Sequence, residues 1–106
     1  MSLTKREDSS QPIGSCVLDV SADMTIYTAA TNLSGIKDYY SKFSHIELNL
    51  SAVEEIDSSG VQILLALSQN AKKDGKQVVL SEISAPVTEI MDMLNIRSHF
   101  NWLKPE

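Results

Sequence analysis

The sequence predicts a small α/β domain whose helices pack on a mixed, mainly parallel, four-stranded sheet. Apolar periodicity follows the order strand, strand, helix, strand, helix, strand, helix, and alternation after the first pair is typical of parallel sheets. With 106 residues, 42% of them hydrophobic, the chain fits one domain that can bury its own core. We expect residues 14–106 to form this domain and the polar, aperiodic residues 1–13 to form a flexible tail.

The first half of the domain is predicted as two strands and a helix. Residues 16–20 indicate a strand, and the residues around Met24 and Ile26 indicate a second strand after a turn at residues 21–23. Residues 28–40 have the apolar spacing of a helix. This strand pair would form a hairpin at the start of the sheet.

The second half alternates strands and helices. Residues 45–50 alternate apolar and polar side chains, which is typical of a strand with one well-covered face. A helix follows up to about Asp74, where Gly75 suits a left-handed C-terminal residue. Residues 77–80 indicate the last strand, and Ser84 is placed to cap the third helix. The buried stripe of that helix is predicted as Val87, Ile90, Met91 and Leu94, and Asn95 is predicted to end the helix. An apolar segment that folds back on the core is predicted to follow, with Ile96, Phe100, Trp102 and Leu103.

A polar tetrad, Asp57-Ser58-Ser59-Gly60, separates the central strand from the second helix. Asp and Ser are preferred N-cap residues, and Ser59 with Gln62 fits the capping box S-x-x-Q. With Ser59 as the cap, Ser58 lies just outside the helix and its hydroxyl is free. Because a helix N-terminus favours negative charge, the tetrad is either a plain cap or a cap beside a phosphate-accepting serine.

The loops at one edge of the predicted sheet are expected to form a binding site. Right-handed crossovers would place residues 51–60 and residues 81–85 at the same end of the sheet, with Tyr27 nearby. Ligand and partner sites in such sheets commonly occupy that edge. The tetrad therefore lies where the topology favours an interaction.

Composition and charge argue against several function classes. The formal net charge of −5 disfavours nucleic acid, whose phosphates require clustered Lys and Arg. The single cysteine, Cys16, has no disulfide partner, and with two histidines it gives no metal-site spacing. The first 14 residues lack the apolar centre of a signal peptide, and the apolar run 61–67 is too short to span a membrane. We expect a cytoplasmic protein without a metal or cofactor.

No catalytic constellation is predicted. A serine nucleophile needs a base, usually His, and the chain contains only His45 and His99. His45 begins the central strand, at the opposite end from the tetrad. Neither G-x-S-x-G nor a phosphate-binding glycine loop occurs. We expect a binding protein that is not an enzyme and does not itself bind nucleotides.

The residues around the tetrad resemble a known signature. Residues 53–64, VEEIDSSGVQIL, are similar to the signature of the STAS domain, the family of bacterial anti-sigma factor antagonists. The resemblance extends from about Cys16 to about Leu103 and includes the strand before the tetrad and the helices after it. It implies the small mixed α/β fold that the periodicity predicts.

The resemblance implies a phosphorylation-controlled interaction module. In the family the serine directly after the aspartate is phosphorylated, which corresponds to Ser58. The unphosphorylated form would bind a partner-switching serine kinase that doubles as an anti-sigma factor, phosphorylation would release it, and a phosphatase would reset the cycle. The residues expected to contact the partner are Tyr27, Asp57, Ser58, Ser59, Gly60, Gln62 and Ser84.

Other roles remain open within the same family. STAS domains also occur in anion transporters and as small docking subunits of a lipid-transport ABC complex, where no phosphate transfer is needed. Residues 27–30 are similar to accessory proteins of chemotaxis and signalling assemblies. The lipid-transport subunits tend to have Thr and extra Gly at the tetrad. This chain retains Asp57-Ser58-Ser59-Gly60, which favours the phosphorylated module.

Overall fold

Strands and helices alternate along the chain from the second strand onward, as the periodicity predicts. The computed structural model describes residues 2–6 and 13–103. Its elements are β1 (Ser2–Lys5), β2 (Ser15–Met24), α1 (Ala29–Lys42), β3 (His45–Ile56), α2 (Ser58–Asp74), β4 (Gln77–Ile83), α3 (Ala85–Leu94), a 3₁₀ turn (Arg97–His99) and β5 (Asn101–Trp102).

The described strands form one sheet in the order β1-β2-β3-β4-β5. β1 is antiparallel to β2, whereas each of the other neighbouring pairs is parallel. The predicted class, a mixed and mainly parallel sheet with packed helices, is confirmed. The predicted number of four strands is wrong, because the first two predicted strands are one and a short strand lies at each edge.

The first edge strand lies within the predicted tail. β1 pairs with residues 18–21 of β2, and Leu3 packs against the core. Leu3 also lies against α1, where a Cβ added to Gly35 would be 3.1 Å from Leu3 Cδ2. Residues 2–5 therefore belong to the sheet, because four paired positions and the apolar contact of Leu3 hold them in place. The segment is too short for its periodicity to identify it as a strand. Residues 7–12 lie outside the described residues, and the domain boundary at residue 14 stays a prediction.

β2 continues through the turn predicted at residues 21–23. These residues remain paired with β3, with Ala22 opposite Val53. The register shifts between Ala22 and Asp23, and Ala22 has a φ of 66°. Such a bulge bends a strand without ending it. The predicted hairpin is therefore wrong. The backbone groups of residues 21–24 form hydrogen bonds with β3, so the chain continues in the same direction and does not reverse in a local turn.

Replacing Ala22 with glycine is expected to stabilise the protein by about 0.5 to 1 kcal/mol. A left-handed conformation costs a residue with a Cβ about 1–2 kcal/mol, and the added chain entropy of glycine offsets part of the relief. Urea denaturation of the two proteins measures the difference. Ala52 is exposed in β3 and has no positive φ, so Ala52→Gly is the matched control and should destabilise. A loss of stability in both variants would contradict the strain at Ala22.

The helices cover one face of the sheet. The buried side chains of β3 point to that face and form a single cluster with residues from all three helices, including Ile46, Leu48 and Leu50 with Ile36, Leu64 and Met91. The alternate positions carry polar groups: Asp19 Oδ1 accepts hydrogen bonds from Arg6 (2.6 Å) and from Asn49 (2.9 Å). The prediction of one covered and one less buried face for this strand is confirmed.

Two helix ends agree with the local sequence. Gly75 adopts a φ of 69° and its backbone N–H donates to the carbonyl of Ala71, as expected of a left-handed terminator. Asn95 ends α3 in the same region, with a φ of 55°. Ser84 is the N-cap of α3, although its side chain makes no capping hydrogen bond. Termini specified by a single residue type are therefore predicted correctly.

The apolar stripe of α3 is shorter than its periodicity indicates. Val87 and Met91 are fully buried, but Leu94 is 47% exposed. In the closing segment Phe100 is buried, whereas Leu103 is 50% exposed. The predicted burial of Leu94 and Leu103 is wrong, because periodicity reports the side on which a residue lies and not how far the underlying layer extends.

Candidate functional site

The tetrad forms the start of α2, and Asp57 is its N-cap. Asp57 has extended backbone angles, and its Oδ1 accepts hydrogen bonds from the amides of Ser59 (2.9 Å) and Gly60 (3.4 Å). Ser59 is therefore not the cap, and the predicted capping box with Gln62 is wrong. The extended backbone of β3 continues to Asp57, so the helix begins at Ser58 and the Asp57 side chain lies beside the first free amides. Ser59 is already inside the helix and cannot cap it. Ser58 accordingly lies in the first helical turn and not outside it.

Asp57 also joins α2 to the loop between β2 and α1, residues 25–28. Its Oδ2 accepts a hydrogen bond from the amide of Ile26 (2.9 Å), and its own amide donates to the carbonyl of Met24 (3.2 Å). The Ile26 amide is the main cause of a lowered pKa for the Asp57 carboxyl, and the amides of Ser59 and Gly60 lower it further. The carboxylate is therefore ionised at neutral pH.

The 25–28 loop presents two apolar side chains to solvent. The amide of Thr28 donates to the Thr25 carbonyl (3.0 Å), and the amide of Thr25 donates to Thr28 Oγ1 (3.1 Å). Ile26 is 66% exposed and Tyr27 is 94% exposed. Sequence reasoning expected Tyr27 near the tetrad but assigned Ile26 to a strand. Ile26 donates to Asp57 through its backbone amide. Every residue except proline has such an amide, so the residue type does not indicate this contact.

Gly60 brings the first turn of α2 against the end of β2. It is buried, and a Cβ at this position would lie 2.3 Å from the carbonyl oxygen of Met24 and 2.9 Å from Met24 Cβ. Contacts that short do not occur, so the backbones approach more closely than any side chain permits. This contact sets the position of the tetrad relative to the 25–28 loop.

Two predicted partner contacts are exposed on α2. Ser58 and Gln62 are both exposed and four residues apart, so they lie on the same side of the helix, whereas Ser59 is half-buried. The hydroxyl of Ser58 is thus presented at the positive end of the helix dipole. The geometry allows a macromolecule to reach Ser58.

Ser84 lies away from the tetrad. Its amide donates to the carbonyl of Leu50 (3.2 Å), and Leu50 pairs with Ile83, six residues before the end of β3 at Ile56. At about 3.3 Å per strand residue this is roughly 20 Å along the strand. Residues 81–85 therefore lie beside the start of the 51–60 segment, as predicted, but not beside the tetrad at its end, because β3 runs on past β4 by pairing with the end of β2.

The histidines lie far from Ser58. His45 begins β3, a whole strand length from the tetrad, and its Nδ1 is 2.9 Å from Gln77 Oε1. His99 belongs to the 3₁₀ turn, and its carbonyl accepts from the Ser68 hydroxyl (3.3 Å).

Within residues 2–6 and 13–103, no cluster of three or more His, Cys, Asp or Glu side chains could hold a metal ion. The same residues contain no helix long and apolar enough to cross a membrane.

Acid is expected to weaken the native state partly through Asp57. Its folded pKa lies below the usual 3.8, so its contribution to stability is present above that value and is lost as the pH falls through the folded pKa. Urea denaturation at a series of pH values should give a wild-type advantage over Asp57→Asn at neutral pH that narrows below 3.8. A constant difference between the two proteins down to strong acid would contradict the shift.

A family model described as the STAS domain matches residues 5–106. The fold is similar to a putative anti-sigma factor antagonist from Thermotoga maritima, with a TM-score of 0.79 and 16% identity over 97% of this chain and 86% of that one. It is also similar to SpoIIAA, a Bacillus cell fate determinant, in its phosphorylated form, with a TM-score of 0.67 and 11% identity over 97% and 92% of the two chains.

A third similar structure is a sulfate transporter family protein from Wolinella succinogenes. Its TM-score is 0.65, with 20% identity over 83% of this chain and 73% of that one. At these identities the likeness to each solved structure is one of fold. Since the family model spans nearly the whole sequence, this chain belongs to the STAS domain family.

Proposed function

We propose that this protein is a phosphorylation-controlled interaction module and not an enzyme. Unphosphorylated, it binds a partner-switching serine kinase of the anti-sigma factor type; phosphorylation of Ser58 releases the complex, and a phosphatase restores the binding form. The observation that carries the proposal is the placement of Ser58, an exposed hydroxyl in the first turn of α2 beside the Asp57 carboxylate. The anti-sigma factor antagonists of like fold support it, one of which has a phosphorylated form.

The proposed control is electrostatic. A phosphate on Ser58 adds a charge of about −1.5 to −2 at neutral pH. It would stand beside Asp57 and close in sequence to Glu54 and Glu55, which are both exposed. A partner surface that accepts the neutral hydroxyl would have to desolvate and oppose this added charge.

The proposed contact surface combines the first turn of α2 with the 25–28 loop. Its residues are Tyr27, Asp57, Ser58, Ser59 and Gln62. Gly60 is buried and supports this surface from below, and Ser84, whose hydroxyl oxygen is buried away from the tetrad, lies outside it. Tyrosine is enriched at protein interfaces because its ring supplies a large apolar area together with a polar hydroxyl. Within this proposal the protein works in the cytoplasm, where a kinase has access to ATP.

The deciding experiment is the intact mass of the protein isolated from its native cells, followed by fragment mapping. We expect phosphate on Ser58 and none in a Ser58→Ala strain. Ser59→Ala is the matched control, because it changes the neighbouring serine in the same helical turn and should leave the modification in place. Phosphate mapped to Ser59, or an unmodified chain under every growth condition, would overturn the proposal.

A second candidate is a docking subunit of a transport or signalling assembly. The similar fold of the Wolinella succinogenes sulfate transporter family protein favours it. In that case the domain binds its partner through the fold, without a phosphate cycle. Stable copurification with a transporter subunit, such as an ABC ATPase, that is indifferent to Ser58→Asp would favour this candidate over the first.

A further inference from the structure

We propose that Asp57 is a positioning residue that holds the 25–28 loop against α2, and that a phosphate on Ser58 breaks this link. The inference rests on the proposed function, since it describes how the same modification reshapes the surface that a partner would contact. The 25–28 loop carries Ile26 and Tyr27, which become less ordered when the link is lost.

The link depends on a single carboxylate that serves two elements through separate oxygens. Oδ1 accepts from the amides of Ser59 and Gly60 in α2, and Oδ2 accepts from the amide of Ile26, 31 residues earlier in the chain. The two oxygens therefore connect the first turn of a helix with an exposed loop. A cap that only stabilised α2 would use Oδ1 alone.

The loop gains from this link because its two large side chains are presented to solvent. Ile26 is 66% exposed and Tyr27 is 94% exposed, so burial in the core contributes little to fixing their positions. The bonds between Thr25 and Thr28 shape the turn internally, but the Ile26 amide bond ties it to α2. Interface side chains held in place before binding lose less entropy when a partner docks.

A phosphate on Ser58 competes for the groups that Asp57 uses. Amides at a helix N-terminus attract anions, and the two that follow Ser58 in the chain, those of Ser59 and Gly60, are already bonded to Asp57 Oδ1. The phosphate carries more charge than the carboxylate and three acceptor oxygens, and the two anions repel each other as sequence neighbours. Asp57 then turns away from the helix, and the Ile26 amide loses its acceptor.

The backbone of α2 should stay in place during this change. Gly60 is packed directly on Met24, whose carbonyl also accepts from the Asp57 amide. These backbone contacts do not involve the carboxylate. The rearrangement is therefore confined to the Asp57 side chain and the 25–28 loop.

The test uses the full chain with phosphoserine encoded at position 58, which requires no native kinase. Amide hydrogen exchange and chemical shifts are followed by NMR at Ile26 and, as an internal reference, at Leu48 in the buried part of β3. We expect exchange at Ile26 to accelerate by about tenfold or more, because a hydrogen bond to a charged acceptor is lost, while Leu48 is unchanged. The Ile26 shift should move toward its value in Asp57→Asn.

Asp57→Asn is the informative variant because its side chain has one carbonyl oxygen in place of two. It can still cap α2, but it cannot serve α2 and Ile26 through separate oxygens. Phosphoserine encoded at Ser98, which is exposed in the 3₁₀ turn, supplies the same charge at a position 40 residues further along the chain. We expect this control protein to match the unmodified one at Ile26.

Two results would overturn the inference. One is an Ile26 amide with the same shift and exchange rate in the phosphoserine-58 protein as in the unmodified protein. The other is acceleration at Leu48 equal to that at Ile26, which means global destabilisation. Neither depends on whether native cells phosphorylate Ser58, so failure of the link and failure of the proposed function can be told apart.

Discussion

Gly60→Ala is expected to lower the free energy of unfolding by about 3 kcal/mol. The new methyl would overlap the carbonyl oxygen of Met24, which is backbone and cannot move aside as a flexible side chain can. Overpacking of this kind typically costs 1–3 kcal/mol and occasionally more, which exceeds the gain of about 1 kcal/mol from the better helix propensity of alanine. Urea denaturation followed by circular dichroism measures the change.

Gly35→Ala is the matched control, since both glycines lie in helices that pack on strands. Among the described residues, a methyl at Gly35 would meet only Leu3 Cδ2, the end of a side chain that can shift, at 3.1 Å. The propensity gain then offsets the crowding, so stability should change by no more than about 1 kcal/mol in either direction. Equal losses for the two variants would contradict the special role of the contact between Gly60 and Met24.

Ser58→Asp is expected to weaken binding of the cognate kinase more than a hundredfold. This substitution places a permanent negative charge beside Asp57, where the partner otherwise meets a neutral hydroxyl. Burying an unpaired charge at an interface costs about 3 kcal/mol of binding free energy, which corresponds to a loss of affinity of more than a hundredfold. Isothermal titration calorimetry with the kinase that copurifies with the unphosphorylated protein measures the dissociation constant.

Two controls separate charge at this site from charge in general. Ser58→Ala should bind nearly as tightly as the wild type, because only the hydroxyl is removed. Ser98→Asp adds the same charge at an exposed residue outside the proposed contact surface and should also bind normally. Wild-type affinity of Ser58→Asp would disprove the charge mechanism, and equal weakening by Ser98→Asp would make the effect one of net charge.

Much of the site was predictable because a single residue type determines each local feature. The tetrad could be placed between β3 and α2 from its polar residues among apolar neighbours, and the ends of α2 and α3 from Gly75 and Asn95. The choice of cap was not predictable in this way. Asp57, Ser58 and Ser59 are all good cap residues, and the end of β3 decides among them.

Local sequence patterns were enough to predict the α/β class, the covered face of β3 and the position of the tetrad at a helix start, because periodicity and cap chemistry act over a few residues. Three features depend on the tertiary structure: β2 continues through a bulge at residues 21–23, Leu3 brings β1 into the sheet, and Ser84 lies far from Ser58. It also decided the bond between Asp57 and Ile26. These features depend on contacts between segments that are distant in the sequence. Local periodicity does not show how favourable such contacts are.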